Sequence, residues 1–254
     1  MSATDDCGAF DPAARPPDHV FDGGDLDCGS GLVLLLREHV QRVPEGGVLE
    51  VRSREPTVGD DLPPWCRLVG HEYLGRASDG ATARYFLRRG GGAAARAEAA
   101  ALARDKEQAR DYEWRTRIRA TGPLRATAYA RNFSFVVGQP ASFEEKDAHP
   151  SALEYVLGAL GAELAVAFRD ACGREGLELD DVELTVRGKL HNVLAHLGLE
   201  AGDPSIRRIE VKCFVSTTAE ERRLRAVWEE VLARSPLLAT FRRGTEVDLR
   251  LSLV

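Results

Sequence analysis

The chain of 254 residues can hold one large domain or two small ones, and its 44% hydrophobic and 29% charged residues are ordinary for a globular protein. A net charge of -6 lacks the basic footprint of a general nucleic-acid binder, and no run reaches the about 20 apolar residues that a membrane helix needs. The five cysteines, Cys7, Cys28, Cys66, Cys172 and Cys213, form no CxxC pair, so neither a zinc ribbon nor a thioredoxin motif is expected; the expectation is a reduced, cytoplasmic chain with no metal and no cofactor.

Residues 1–17, with Asp5, Asp6 and Asp11 among small residues and prolines, read as a disordered arm rather than a secretory signal. His19–Leu26 reads as a strand. Cys28 follows, in Leu26-Asp27-Cys28-Gly29-Ser30-Gly31, directly before an apolar helical run predicted from about Ser30 to Val43. A thiol at that place lies near the positive end of a helix, where unpaired N–H groups favour an anion, and the thiolate is the reactive form of cysteine. The competing reading is a small buried residue, since free cysteine is among the most buried residue types.

Pro44-Glu45-Gly46-Gly47 is a turn, and Val48–Arg52 alternates as a strand. Asp60-Asp61-Leu62-Pro63-Pro64-Trp65-Cys66 reads as a helix start, with an Asp cap and prolines in the first turn. Cys66 there is a second thiol at a helix start; as a site it is an accessory candidate, and core is the stronger reading. Ser78-Asp79-Gly80 turns the chain into a closing strand, Ala83–Leu87. Gly90-Gly91-Gly92 opens an alanine-rich stretch through Arg110, read as a helical linker over 91–111.

Strands are predicted over Tyr112–Ala120, Ala126–Val137, Asp181–Arg187, Ile206–Thr217 and Val247–Val254. Helices are predicted over Ser151–Gly173, apolar on most sides, and Ala219–Ser235. The fold class is therefore α+β in two domains. The first, 18–90, is a small two-layer βαβαββ sandwich. The second, 112–254, has a long central helix. His191 and His196 read as solvent-facing, and Glu144-Glu145-Lys146-Asp147 as a solvated loop.

The segment from Phe21 to about Gly90 resembles the TusA/SirA family of small sulfur carriers. The motifs are Phe21–Gly31 at the cysteine entry, Asp61-Leu62-Pro63-Pro64-Trp65-Cys66 at the second helix, and Tyr85-Phe86-Leu87-Arg88-Arg89-Gly90 at the final strand. The resemblance implies that Cys28 takes a persulfide from a cysteine desulfurase or other sulfur donor and passes it to an acceptor protein. The chain departs from the family's Cys-Pro-x-Pro pattern in having Gly29 and Gly31 at the proline positions, which loosens the helix start.

Residues 112–254 resemble the OsmC/Ohr family through His149–Glu163 and Ala233-Arg234-Ser235-Pro236-Leu237-Leu238. In peroxidase members of that family two helices each supply a cysteine. The resemblance places Glu163 and Ser235 at those positions, and neither side chain can follow the thiol chemistry. Glu163 is open to two readings, a ligand-binding acid in the old pocket or a structural partner of Arg131 or Arg234. The family also implies an intertwined homodimer through the C-terminal domain, with Gly158, Ala159, Gly161 and Ala162 permitting close helix approach.

The leading expectation is a cytoplasmic sulfurtransferase of the persulfide-carrier kind, with Cys28 as the catalytic residue. Its degenerate OsmC-like domain would serve dimerisation or ligand and partner binding, and no nucleic acid or membrane would be bound. The alternatives are a non-catalytic binding or regulatory protein and, less favoured, a thiol peroxidase rebuilt around Cys172 or Cys213.

Overall fold

A computed structural model describes residues 16–27, 31–79, 82–138 and 149–253. Cys28, the arm through residue 15 with Cys7, and the acidic loop at Glu144–Asp147 lie outside the described residues. The chain divides into two compact units between Glu113 and Trp114.

The first unit runs β1 (His19–Asp22), α1 (Leu32–Gln41), β2 (Val48–Ser53), α2 (Val58–Val69), β3 (Glu72–Asp79) and β4 (Thr82–Arg88). The sheet order is β1-β2-β4-β3, with β1 parallel to β2 and the other pairs antiparallel. This is the expected βαβαββ layout. Apolar residues three to four apart put Leu32, Leu36 and Val40 on one side of α1 and Val58, Leu62 and Cys66 on one side of α2. Both stripes close over Leu49, Val51, Tyr85 and Leu87 of the sheet.

Local details differ from the sequence reading. The first strand stops at Asp22, where Gly24 N donates to the Asp22 carboxylate and turns the chain. Helix α2 begins at Val58, not at Asp60, so Asp60 and Asp61 sit in its first turn and Pro63 and Pro64 fall inside it. The two carboxylates there complement the positive end of the helix dipole.

Strand β2 is central in its sheet, and its alternating pattern hides a buried acid. Glu50 is 1% exposed. Arg84 holds it with a two-pronged contact, Nε to Oε1 at 2.8 Å and Nη2 to Oε2 at 2.8 Å, and Arg52 Nε adds a third at 2.7 Å. Hydrogen bonding from Arg84 holds the Glu50 carboxyl below the usual carboxylate range, against the opposing effect of burial.

Helix α3 (Ala93–Arg110) was expected to be a linker, but it packs on α1 and α2 within the first unit. Its inner positions are Ala95, Glu98 and Leu102, so it offers little hydrocarbon and is fastened by charge. Arg37 of α1 lies 2.9 Å from the buried Glu98 and also binds Asp105. Lys106 reaches Glu38 at 3.3 Å, and Gly92 N donates to Glu45 at 3.0 Å. Burial pushes the Glu98 carboxyl up, with Arg37 opposing it.

The second unit opens with a meander, β5 (Arg117–Gly122), β6 (Arg125–Ala130) and β7 (Phe133–Val137). The single strand predicted over Ala126–Val137 is two, because Arg131 and Asn132 make a tight turn between them. Arg131 takes φ 55, the left-handed region that hairpin turns need. The long helix α4 (Ala152–Arg174) follows, then β8 (Asp181–Leu190), the short α5 (Val193–His196), β9 (Ile206–Ser216), α6 (Glu221–Arg234), α7 (Pro236–Phe241) and β10 (Glu246–Leu253).

Its second sheet has the order β10-β9-β8, with β9 parallel to β10 and antiparallel to β8. Ile209, Val211, Cys213 and Val215 alternate onto the inner side of β9, against Leu160, Leu164 and Phe168 of α4 and Leu224, Trp228 and Val231 of α6. A capping box starts α4. Glu154 N donates to Ser151 Oγ, and Ser151 N donates to the Glu154 carboxylate. Gly161 lets α4 sit close on β8, since a Cβ there would meet Val186 at 2.9 Å.

Candidate functional site

At the entry to α1 the chain bends through Gly31, which takes φ 97 as the N-cap. Proline, fixed near φ −65°, has no access to that conformation. The glycine at the family's proline position thus coincides with a backbone turn that proline forbids. The helix starts at Leu32, two residues later than the sequence pattern suggested. Leu34 N and Leu35 N both donate to Gly31 O, no side chain caps the helix, and no acid occupies its first turn. The positive end of α1 is therefore not neutralised from within the helix. Cys28 precedes this point by three positions in sequence and lies outside the described residues.

Cys66, the accessory candidate, lies in α2 within the core and is fully buried. Burial pushes its thiol up to about 12, so almost none is thiolate at neutral pH. Its structural role is to fill space against the sheet.

Near Cys66 lies His71, which is 6% exposed. Its Nδ1 accepts from Gly90 N at 3.1 Å, and its ring meets Trp65 edge-on. At the other end of α1, His39 bonds His19 at 2.8 Å and stacks on Phe21. Burial, aided by Arg89 for His71 and by Arg42 for His39, lowers each imidazole from 6.5 to about 4.

In the second unit the structure brings together the two positions assigned by the OsmC resemblance. Ser235 Oγ donates to Glu163 Oε2 at 3.1 Å and accepts from Leu238 N at 3.0 Å. Ser235 is thus the N-cap of α7, 4% exposed, and its hydroxyl is committed on both sides. Sequence reading expected Arg131 or Arg234 as a structural partner for Glu163. Arg234 instead pairs with Glu230 one turn back, and Arg131 lies over the Phe133 ring.

Glu163, Asp170, Arg174, Val231, Arg234 and Ser235 line a cavity of about 100 Å3 between α4 and α6. Leu164, Ala167 and Ala171 complete a largely apolar wall, and Arg174 and Asp170 on it pair across one turn at 2.8 Å. Cys172 and Cys213 are buried in the core, and burial pushes their thiols up to about 11 and about 12. Neither supplies a thiolate to replace the pair at Glu163 and Ser235. Among the described residues no group of three or more His, Cys, Asp or Glu could hold a metal ion, and no helix is long and apolar enough to cross a membrane.

Three comparisons bear on these two units. The sulfur carrier protein TusA of Pseudomonas putida (strain GB-1) is 36% identical over 73 residues, which is 29% of this chain and 90% of that protein. The protein of the same name from Pseudomonas fluorescens (strain SBW25) is 30% identical over 78 residues, 31% of this chain and 93% of that one. Residues 144–250 match the family described as OsmC-like protein. A solved OsmC like protein from Mycoplasma pneumoniae is 15% identical and covers 57% of this chain and 99% of its own, with a TM-score of 0.49. On the extent of the first match, and with a β1–β4 unit that has the layout its motifs implied, the chain belongs to the TusA sulfur-carrier family, joined in one polypeptide to an OsmC-like region.

Proposed function

We propose that the protein relays sulfane sulfur as a persulfide on Cys28. A donor such as a cysteine desulfurase would load the sulfur, and an acceptor protein would take it. The observation that carries this reading is the match to sulfur carriers over 90% of their length. It is supported by the state of the described thiols, since Cys66, Cys172 and Cys213 are all sealed in hydrocarbon with raised pKa values. It is further supported by the open positive end of α1, three positions beyond Cys28 in sequence.

The chemistry needs one exposed thiolate. It attacks the terminal sulfur of a donor persulfide, the donor's S–S bond breaks, and the donor leaves as a thiolate. Incubation with a cysteine desulfurase and cysteine should therefore add the mass of one sulfur atom to the peptide containing Cys28. Cys28→Ser should abolish the adduct. Loading on any other cysteine, or an adduct retained by Cys28→Ser, defeats the reading.

For the OsmC-like domain the reading is a non-peroxidatic module that joins two copies of the chain. A hydroxyl bonded to a carboxylate at 3.1 Å offers no thiol to oxidise and no disulfide to close. Val166 on the outer side of α4 is 71% exposed, beside a groove of about 450 Å3 lined by Leu157, Gly158, Gly161, Ala162, Leu184 and Val186. A groove of mainly apolar residues, with Glu154 also in its lining, fits a second copy. Sedimentation equilibrium should give twice 27.7 kDa, and Val166→Glu should return the mass to 27.7 kDa. A monomeric wild-type protein counts against the homodimer. The alternative of a purely regulatory binding protein gains support if Cys28→Ser behaves as wild type in complementation.

A further inference from the structure

From Trp114 to Phe143 the chain contains no Asp, Glu or Lys but has five arginines, Arg115, Arg117, Arg119, Arg125 and Arg131. In a chain of net charge -6 this is a sharp local excess of positive charge. The meander β5-β6-β7 arranges part of it on one surface. Side chains two apart share a sheet face, and the register pairs Arg117 with Tyr129 and Arg119 with Thr127. Arg117, Arg119, Arg125, Thr127 and Tyr129 therefore lie on one side. The other side is apolar, with Ile118, Ala128 and Phe135, and Phe135 packs on Tyr155 of α4 at a ring distance of 5.0 Å.

Arg117, Arg119 and Arg125 are exposed. Arg117 lies over the Tyr129 ring at 4.6 Å, and Arg125 donates to Thr121 O at 3.3 Å. Among the described residues none of the three has a carboxylate partner. Elsewhere in the same unit Arg174, Arg208, Arg223, Arg225, Arg234 and Arg250 all have one. Like charges about 7 Å apart along a strand, as Arg117 and Arg119 are, repel one another. Among the described residues the fold thus keeps a cationic face with no carboxylate paired to it.

We propose that this face is the docking surface for an acidic polypeptide, with each guanidinium taking a carboxylate of the partner. Guanidinium forks match carboxylates in geometry, and a patch of one sign speeds encounter with its complement. Nucleic acid is the less suited occupant. The one aromatic ring that the register places among these arginines is already covered by Arg117, which leaves no open platform for base stacking. The inference is independent of the sulfur chemistry at Cys28.

The test uses the full chain and a fluorescein-labelled octaglutamate peptide in fluorescence anisotropy at low salt. The peptide should bind and should dissociate as salt rises past about 0.5 M, where screening is nearly complete. The triple variant Arg117→Ser/Arg119→Ser/Arg125→Ser should weaken binding about tenfold or more at unchanged Tm. The control Arg222→Ser/Arg223→Ser/Arg225→Ser on α6 removes the same charge and should leave binding near wild type. Absence of binding, equal loss in both variants, tighter binding of a labelled oligothymidylate that the triple variant abolishes, or occupation of the face through salt-sensitive self-association would each overturn the proposal.

Discussion

Acidification from pH 7 to pH 4.5 is expected to open the carrier unit before the OsmC-like unit. His39 and His71 titrate near 4 in the folded chain, and His19 is lowered as well. Their ordinary value is 6.5, so the fold holds them neutral and protons favour the unfolded chain. That contribution to stability is complete above pH 6.5 and is lost as pH falls from 6.5 toward 4. For the buried His71 the interval corresponds to about 3 kcal/mol, a large part of the 5–15 kcal/mol typical of a domain. His39, only half-buried beside Arg42, adds less.

Glu50 acts in the same direction at lower pH, because its carboxyl is held down by Arg84 and its stabilisation disappears once it protonates. Glu98 acts the other way. Its raised pKa favours the fold at low pH and loses that advantage as pH rises. Hydrogen exchange read by mass spectrometry should show β2 and α2 losing protection between pH 6.5 and 4.5 while β9 and α6 retain it. His71→Asn, which keeps an acceptor for Gly90 N, should shift the first unit's transition to lower pH. Simultaneous opening of both units, or an unchanged midpoint in His71→Asn, would refute this account.

Phe168→Ala is expected to cost about 3–5 kcal/mol in the second unit, as large aromatic truncations in closed cores do. Phe168 is fully buried on α4 and meets the Trp228 ring of α6 edge-on at 5.1 Å. That contact fixes the helix that carries Glu163 against the helix that leads into Ser235. The variant should therefore lower the unit's melting temperature and also loosen the Ser235–Glu163 bond. Calorimetry resolves the first effect, and faster exchange at Leu238 N, which Ser235 caps, reports the second. A melting temperature unchanged within a degree or two would mean that the core closes over the gap.

Most of the element order was legible in the sequence because both units alternate between periods of 3.6 and 2 with few interruptions. Leu32, Leu36 and Val40 announced α1, and Ile209, Val211, Cys213 and Val215 announced β9. Three features were not legible. The seat of α3 rests on Arg37, Glu98 and Asp105, and charged contacts between distant segments leave no periodic trace. The break between β6 and β7 falls at Arg131-Asn132, a turn without glycine or proline. The partner of Glu163 lies 72 residues away, at a spacing no local rule reaches.

The family motifs singled out Cys28 by position, and the structure contributes mainly by sealing the other described thiols away. The cationic face of β5-β6 had a signal in plain view, an acid-free run with five arginines, but only the strand register shows which of them share a side.

The grip of Arg37 on α3 settles where the polypeptide can be cut for separate study. A fragment ending at the glycine triplet would strip the guanidinium of both its anions and leave the flank of α1 bare to water. The excised carrier would have to be extended to Glu113 to remain the same object. An inactive shorter piece would then report a missing brace rather than a missing chemistry.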